Sequence, residues 1–144
     1  MKKLSIQLIV LGIVAVGAFL SACGGGDAPA ASEGGDAAAA VTLDFVGTDI
    51  AFDKDSVTVT SGQEVTINLK NEGTLEHSWV LINDRVDPLT ATDTDGLIGT
   101  QSGAIPGGES TSFTFTAPGP GNYIFVCTIE GHAEAGMLGD FIVQ

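Results

Sequence analysis

The sequence predicts an all-β domain, an antiparallel β-sandwich, over residues 41–144. Three observations lead to this fold class. Short runs alternate apolar and polar residues, β-branched and aromatic residues dominate those runs, and turns rich in Gly, Pro, Asn and Ser separate them. No long stretch has the apolar period of a helix. Several short strands joined by turns are typical of a sandwich.

Seven strands are predicted in chain order. Alternation in the third strand places Val65, Ile67 and Leu69 on one face. The sixth strand is almost entirely apolar, which indicates burial of both its faces. Its Tyr123 is expected to cap a nearby backbone group with its hydroxyl, and Trp79 is expected in the core. The predicted strands are Val41–Val46, Ser56–Thr60, Glu64–Lys70, His77–Ile82, Ser110–Thr116, Tyr123–Cys127 and Leu138–Val143.

Residues 83–109 do not fit one element. The segment is long for a loop in a compact domain. Three alternatives remain open from the sequence: a short strand near Leu97-Ile98, a helical turn after Pro88, or an excursion over the surface.

Residues 1–22 are predicted to be a processing signal. Lys2 and Lys3 precede the apolar run Leu4–Phe19, which is short for a membrane span. The ending Leu20–Cys23 resembles a bacterial lipobox, and this resemblance implies cleavage before Cys23 and acylation of that residue. Two alternatives are an ordinary signal peptide cut nearby and an uncleaved anchor.

The stretch after Cys23 indicates a tether. Residues 24–40 contain only Gly, Ala, Ser, Pro, Asp and Glu, a composition that cannot bury a core. The rest of the chain, about one hundred residues, suits one domain. The predicted organisation is a lipoprotein signal over 1–22, a lipidated cysteine and flexible tether over 23–40, and one domain over 41–144.

The charge of the chain excludes several classes of partner. The formal net charge is −13, and loss of Lys2 and Lys3 with the signal lowers it to −15. Such a protein is repelled by nucleic acids and by anionic lipid head groups. The acidic surface suits a partner with a positive patch, or it serves solubility alone.

Soft metal donors are few and concentrated. Beyond residue 23 the chain has one cysteine, two histidines and one methionine. Taken singly, each residue type is more often core packing or surface than a ligand. Together, a thiolate, two imidazoles and a thioether are the donors of a blue-copper electron-transfer site. The candidates are His77, Cys127, His132 and Met137.

The spacing of these candidates supports a single site. Cys127 is predicted at a strand end, and Gly131 and Gly136 allow the following loop to turn back, so that His132 and Met137 approach the sulfur. Metal ligation also explains a leftover thiol in an exported protein. Zinc binds similar groups, but structural zinc favours Cys and His without a thioether.

The segment Gly121–His132 resembles the copper loop of the cupredoxins. The Cys-x4-His-x4-Met spacing, with Glu76–Val80 upstream, is similar to that of the auracyanins, membrane-tethered blue-copper proteins of photosynthetic bacteria. Azurin-like proteins differ by a shorter His–Met gap and a disulfide. The resemblance implies the Greek-key form of the sandwich and one copper ion, Cu(I) or Cu(II), with His77, Cys127, His132 and Met137 as its ligands.

The resemblance also implies roles for the neighbours of the ligands. The family usually has Asn where this chain has Ser78, so the surroundings of the copper are expected to be altered. The Ser78 backbone N–H is expected to point at the thiolate, where such bonds tune redox potential, and Thr128 is the other such neighbour. An apolar electron port is implied around His132, and its edge is formed by Ala133, Ala135 and Leu138, with Ile105 as a further candidate.

The predicted function is a one-electron shuttle rather than an enzyme. It would carry electrons from a membrane quinol-oxidising complex to a c-type cytochrome, a reaction centre or another acceptor. The protein is expected to be a monomer, lipid-anchored at the outer face of the cytoplasmic membrane or in the periplasm. The alternatives are periplasmic or extracellular copper storage or delivery, a catalytic copper protein, and an interaction module without metal. Both histidines are already used, so a second copper centre is not expected.

Overall fold

The computed structural model of the protein describes residues 38–144, so the predicted signal, Cys23 and most of the tether lie outside the described residues. None of the helical residues within 38–144 forms a helix long and apolar enough to cross a membrane. The elements in chain order are β1 Val41–Thr48, β2 Ala51–Phe52, β3 Ser56–Val59, β4 Glu64–Asn71, β5 Val80–Asn83, a 3-10 helix Asp93–Asp95, β6 Ser110–Thr116, β7 Gly121–Val126 and β8 Leu138–Val143.

Two four-stranded sheets form the predicted all-β sandwich. One has the strand order β2-β1-β4-β6 and the other β3-β8-β7-β5. Each sheet contains one parallel pair, β1 with β4 and β3 with β8, while the other pairs are antiparallel. Two parallel strands need a long crossover connection between them. The chain between β1 and β4 makes this crossover through β3, which lies in the other sheet.

The observed strands follow the predicted alternation closely. The largest differences are β2, whose two residues are too few to show a pattern, and β5, which starts at Val80 rather than His77. Other strand ends shift by one or two residues, and Cys127 lies directly after β7 rather than within it. His77 instead forms an isolated antiparallel bridge with Ile105. The segment that carries His77 thus pairs with the long connection before β6.

Aromatic side chains fill the space between the sheets. Trp79 is fully buried, as predicted, and stacks on Phe125 with ring centroids 5.8 Å apart and an interplanar angle of 9°. Phe45 meets both rings edge-on. Each large apolar side chain that is fully buried contributes about 1.5–3 kcal/mol to the free energy of folding. The core therefore holds β7, which leads into Cys127, in a fixed position.

The segment between β5 and β6, residues 84–109, is a surface excursion that contains a turn at Pro88 and the 3-10 helix, so it combines two of the alternatives left open by the sequence. The third alternative is wrong: Leu97-Ile98 is not a strand, and Ile98 is fully exposed. Backbone hydrogen bonds from Leu97 to Leu81 and from Ser102 to Trp79 lay its second half along β5. Its first half covers a second apolar cluster that contains Val126, so β7 is buried on both faces as predicted. The excursion protects a sheet edge that would otherwise be open.

Candidate metal centre

The loop after β7 brings three of the predicted donors together. Gly131 and Gly136 adopt positive φ angles of 82° and 98°, which confirms the two predicted bends. Met137 N–H donates to the His132 carbonyl at 2.9 Å, and Cys127 N–H donates to the Met137 carbonyl at 3.0 Å. The ends of the loop are therefore fastened to each other by its own backbone.

The fourth predicted donor is held by the excursion. His77 and Ile105 exchange two backbone hydrogen bonds, of 3.0 Å and 2.7 Å. Asn71, fully buried at the end of β4, adds a brace: its Nδ2 donates to the carbonyls of Leu75 and Ile105 at 2.7 Å and 2.9 Å. Its Oδ1 accepts the Gly73 N–H at 3.0 Å. His77 thus rests on a hydrogen-bonded frame instead of a strand.

Sequence reasoning missed Asn71. The only signal was an amide residue at the inward-facing end of an alternating strand, directly before a turn. Asn in a turn is usually explained by its own local backbone bonds. The bond from Asn71 to Ile105 spans 34 positions, and a contact over that distance leaves no local pattern in the sequence.

Donor atoms of His77, Cys127 and His132 converge on one point. The ligating atoms of all three residues lie within 4.8 Å of one another, and all three residues are buried. The two histidine Nδ1 atoms are 3.3 Å apart, and His132 Nδ1 lies 3.4 Å from Cys127 Sγ. These separations match one ion, since bonds from a metal such as zinc are ~2.0–2.1 Å to imidazole and ~2.3 Å to thiolate.

Met137 is fully buried beside the same cluster. A Cβ atom placed on Gly47 of β1 would lie 3.1 Å from His77 Cδ2 and 3.5 Å from Met137 Cε. Both side chains therefore pack against the bare backbone of Gly47. The site is lined by β1 on this side, where a larger residue would push on the imidazole and the thioether.

The environment of His77 favours the neutral, metal-binding form of its imidazole. Burial lowers the pKa of His77, and a positive charge on His132 would lower it further, while the Thr48 carbonyl and the Asp49 carboxylate act in the opposite direction. A lowered pKa keeps the imidazole neutral, and metals bind neutral imidazole. Within residues 38–144, His77 Nε2 is buried without a hydrogen-bond partner.

Two polar groups of Ser78 lie next to the Cys127 sulfur. The Ser78 backbone N–H lies 3.4 Å from Sγ, and the Ser78 hydroxyl oxygen lies 3.7 Å from it. The Ser78 hydroxyl also accepts the Thr128 N–H at 2.8 Å. Ser78 and Thr128, the two expected neighbours of the ligands, therefore both lie at the site. Cys127 itself is a free cysteine.

The residues expected around the electron port differ in exposure. His132 is 7% exposed, whereas His77, Cys127 and Met137 are fully buried. Ala135 is exposed, but Ala133 and Leu138 pack into the apolar cluster beneath the excursion. Ile105 belongs to the main core between the sheets.

The donor set fits copper. A thiolate and two imidazoles at bonding separations, with a buried thioether beside them, combine soft and borderline ligands in the set typical of blue-copper sites. The sequence model of one protein family, the copper-binding proteins of the plastocyanin/azurin family, matches residues 39–144.

Known proteins support the same conclusion. Auracyanin-A of Chloroflexus aurantiacus is 33% identical over 162 aligned positions, which cover 99% of each chain. The solved structure of a reduced auracyanin from Roseiflexus castenholzii has a TM-score of 0.63 and 28% identity, over 74% of this chain and 98% of that one. The copper-resistant cuproprotein CopI of Rubrivivax gelatinosus is 31% identical, over 82% of this chain and 75% of its own length.

The match to the family model covers well over half of the chain, and the relative with 33% identity covers nearly all of it. The convergence of buried thiolate and imidazole donors agrees with both. The chain therefore belongs to the plastocyanin/azurin family of copper-binding proteins, and it is an electron-transfer protein with one copper cofactor rather than an enzyme.

Proposed function

We propose that the protein is a membrane-tethered one-electron shuttle whose copper is held by His77, Cys127, His132 and Met137. The observation that carries this ligand set is the convergence of three donor residues, within 4.8 Å, from two distant parts of the chain. Met137 is included because it is fully buried and fastened to His132 by a backbone hydrogen bond.

The frame around the donors suits rapid electron transfer. Copper supplies the change between Cu(I) and Cu(II), whose preferred geometries differ. Here the donors are fixed by backbone bonds within the loop and between His77 and Ile105. A fixed compromise geometry means that little has to move when an electron arrives or leaves.

The proposed exit for the electron is His132. Among the four proposed ligands it is the least buried, with 7% of its surface exposed, while the others are at 0%. Ala133, Ala135 and Leu138 would form its apolar edge; of these, Ala135 is exposed, Leu138 is half-buried and Ala133 is buried. A small apolar contact suits the brief encounters of redox partners, which bury less area than stable complexes do.

The proposed tether follows from the N-terminal sequence. The signal over residues 1–22 would direct export, and lipidation of Cys23 would anchor the protein, with residues 24–40 as a flexible linker. A charge of −15 opposes electrostatic binding to anionic lipid, so a covalent lipid is the better means of attachment. Confinement near the membrane raises the frequency of encounters with partners there. We propose a quinol-oxidising complex as donor and a c-type cytochrome or reaction centre as acceptor.

The two cysteines allow reciprocal tests of this proposal. The full chain, expressed with Cu(II), should show an intense visible charge-transfer band and a narrow copper hyperfine EPR signal, and should fractionate with membranes. Cys127→Ser should abolish both signals and leave membrane attachment intact. Cys23→Ser should keep both signals and abolish membrane attachment. A band that survives in Cys127→Ser would contradict the proposed ligand set.

Copper storage or delivery is a second candidate, favoured by the similarity to a copper-resistant cuproprotein. The rate at which copper is lost to a chelator distinguishes the two functions. A carrier should yield its copper to a Cu(I) chelator within one reduction step. A shuttle should keep its copper through repeated reduction and oxidation in the presence of the same chelator. Rapid loss of the metal together with slow electron exchange would favour storage.

A further inference from the structure

A chain of hydrogen bonds connects the excursion to the cysteine sulfur. The Thr128 hydroxyl donates to Asp93 Oδ1. Thr128 Oγ1 and Ser78 Oγ are 2.8 Å apart, a hydrogen-bond distance. Ser78 Oγ lies 3.7 Å from Cys127 Sγ. Asp93 is 34 positions before Cys127 in the chain and nothing in the sequence motif of the copper loop includes it.

Asp93 is presented by a rigid turn. It is the first residue of the 3-10 helix, and the Asp95 carboxylate accepts hydrogen bonds from the N–H and the hydroxyl of Thr92 at 2.8 Å and 2.7 Å. These bonds hold the pKa of Asp95 below its usual value, so this turn is stabilised by an ionised carboxylate. The Asp93 side chain is therefore delivered to Thr128 from a fixed backbone.

The number of hydroxyl hydrogens decides which atom donates in each of these hydrogen bonds. An ionised carboxylate only accepts, so the single Thr128 hydroxyl hydrogen points at Asp93. The contact between the two hydroxyl oxygens needs one hydrogen, and Ser78 is the only residue left to supply it. The Ser78 hydroxyl hydrogen then points away from the Cys127 sulfur.

We propose that Asp93 is a positioning residue that keeps the Ser78 hydroxyl from donating to the Cys127 thiolate. The thiolate then receives the Ser78 backbone N–H at 3.4 Å and is spared a second donor from the same residue. A hydrogen bond withdraws electron density from a metal-bound thiolate and raises the reduction potential. Asp93 thus holds the potential of the site down. This inference rests on the proposed role of Cys127 as copper ligand.

Removal of the Asp93 carboxylate should let the Thr128 and Ser78 hydroxyl hydrogens reorient. Without its acceptor, the Thr128 hydroxyl is free to donate to Ser78 Oγ, and the Ser78 hydroxyl is free to turn toward the sulfur 3.7 Å away. The reduction potential of the copper protein should rise, and the charge-transfer band should shift. The exposed position of Asp93 means that its loss opens no cavity in the core.

Loss of the negative charge of Asp93 would by itself raise the reduction potential, so the experiment needs controls for charge. The midpoint potential and visible spectrum would be measured for the copper-loaded full chain and for Asp93→Ala, Asp93→Asn and Glu130→Gln. Glu130 is an exposed carboxylate in the copper loop and reports the effect of charge alone. Asp93→Asn loses the charge but keeps an amide oxygen that accepts the Thr128 hydrogen. We expect the largest upward shift for Asp93→Ala.

The decisive comparison repeats Asp93→Ala in a Ser78→Ala background. With no hydroxyl at position 78 to redirect, the shift should shrink to the size seen for Glu130→Gln. An equal shift in both backgrounds would overturn the inference, as would a shift in Asp93→Ala no larger than in Glu130→Gln. If Asp93 were only a structural tie, the metal-free variant would lose stability with no Ser78-dependent change in potential. A wild-type protein without the blue band would instead refute the proposed copper site.

Discussion

Asn71 and Ile105 are joined by a 2.9 Å hydrogen bond, from the side-chain Nδ2 to the carbonyl oxygen that also accepts the His77 N–H. One buried acceptor therefore links the end of β4, the excursion and the first proposed copper ligand. The position of His77 depends on this frame because the residue lies outside any strand. The frame forms entirely within the protein, so it is expected to exist before the metal binds.

Asn71→Ala should destabilise the metal-free protein by ~2–4 kcal/mol, because it removes three side-chain hydrogen bonds at a fully buried site. Copper release should also become faster. Urea unfolding and the rate of transfer to a chelator measure the two effects. Asn68→Ala, on the more exposed face of the same strand, should cost less than ~1 kcal/mol. Equal losses for the two variants would contradict the bracing role of Asn71.

Gly47→Ala should alter the copper site more than the fold. The added methyl would lie 3.1 Å from His77 Cδ2 and 3.5 Å from Met137 Cε, so the imidazole has to shift by a few tenths of an ångström. The visible band and the EPR hyperfine splitting should change in the copper-loaded protein. Gly119→Ala is the control, since a Cβ there meets nothing within 4 Å. Unchanged spectra in Gly47→Ala would show that the site tolerates the methyl without moving.

The metal-free protein should lose stability as the pH falls below about 6.5. Burial lowers the pKa of His77 beneath the unfolded value of 6.5, so the unfolded chain takes up the proton first. The contribution of His77 is therefore complete above that pH and declines below it. Asp49, which attracts the proton, and His132, which repels it, are the charged neighbours involved.

Urea midpoints of the metal-free protein at about pH 7.5 and about pH 5.5 measure this effect. His77→Gln should reduce the difference between the two midpoints, since the substituted residue does not titrate. A difference that stays the same in this variant would assign the pH dependence to other groups.

Tyr123→Phe should cost ~0.5–1 kcal/mol, because the hydroxyl donates a 2.9 Å hydrogen bond to the Gly119 carbonyl at the surface. This is the corner bond that the sequence predicts. The residue precedes Cys127 by four positions on an extended strand, a separation of ~13 Å. The copper spectrum should therefore be unaffected, and thermal unfolding should detect the loss. A changed spectrum would indicate that the corner bond and the site are coupled.

Local pattern was enough to predict most of the fold. Alternation in β1, β4 and β6 and the apolar run of β7 mark their own strands, since the side-chain period of two is a property of neighbouring residues. The excursion could not be predicted in this way. Its second half pairs with the segment 77–81 through backbone groups, which every residue type carries.

The donors of the copper site were also predictable, because soft ligands are rare in this chain and three of them share one loop. The sequence by itself determined which atoms are available to hold copper and that a β-sandwich carries them. Only the tertiary structure decided what surrounds those atoms. The roles of Asn71, Gly47 and Asp93 arise from contacts between residues far apart in the chain, and a contact of that kind leaves no local pattern because it depends on how the two sheets and the excursion pack.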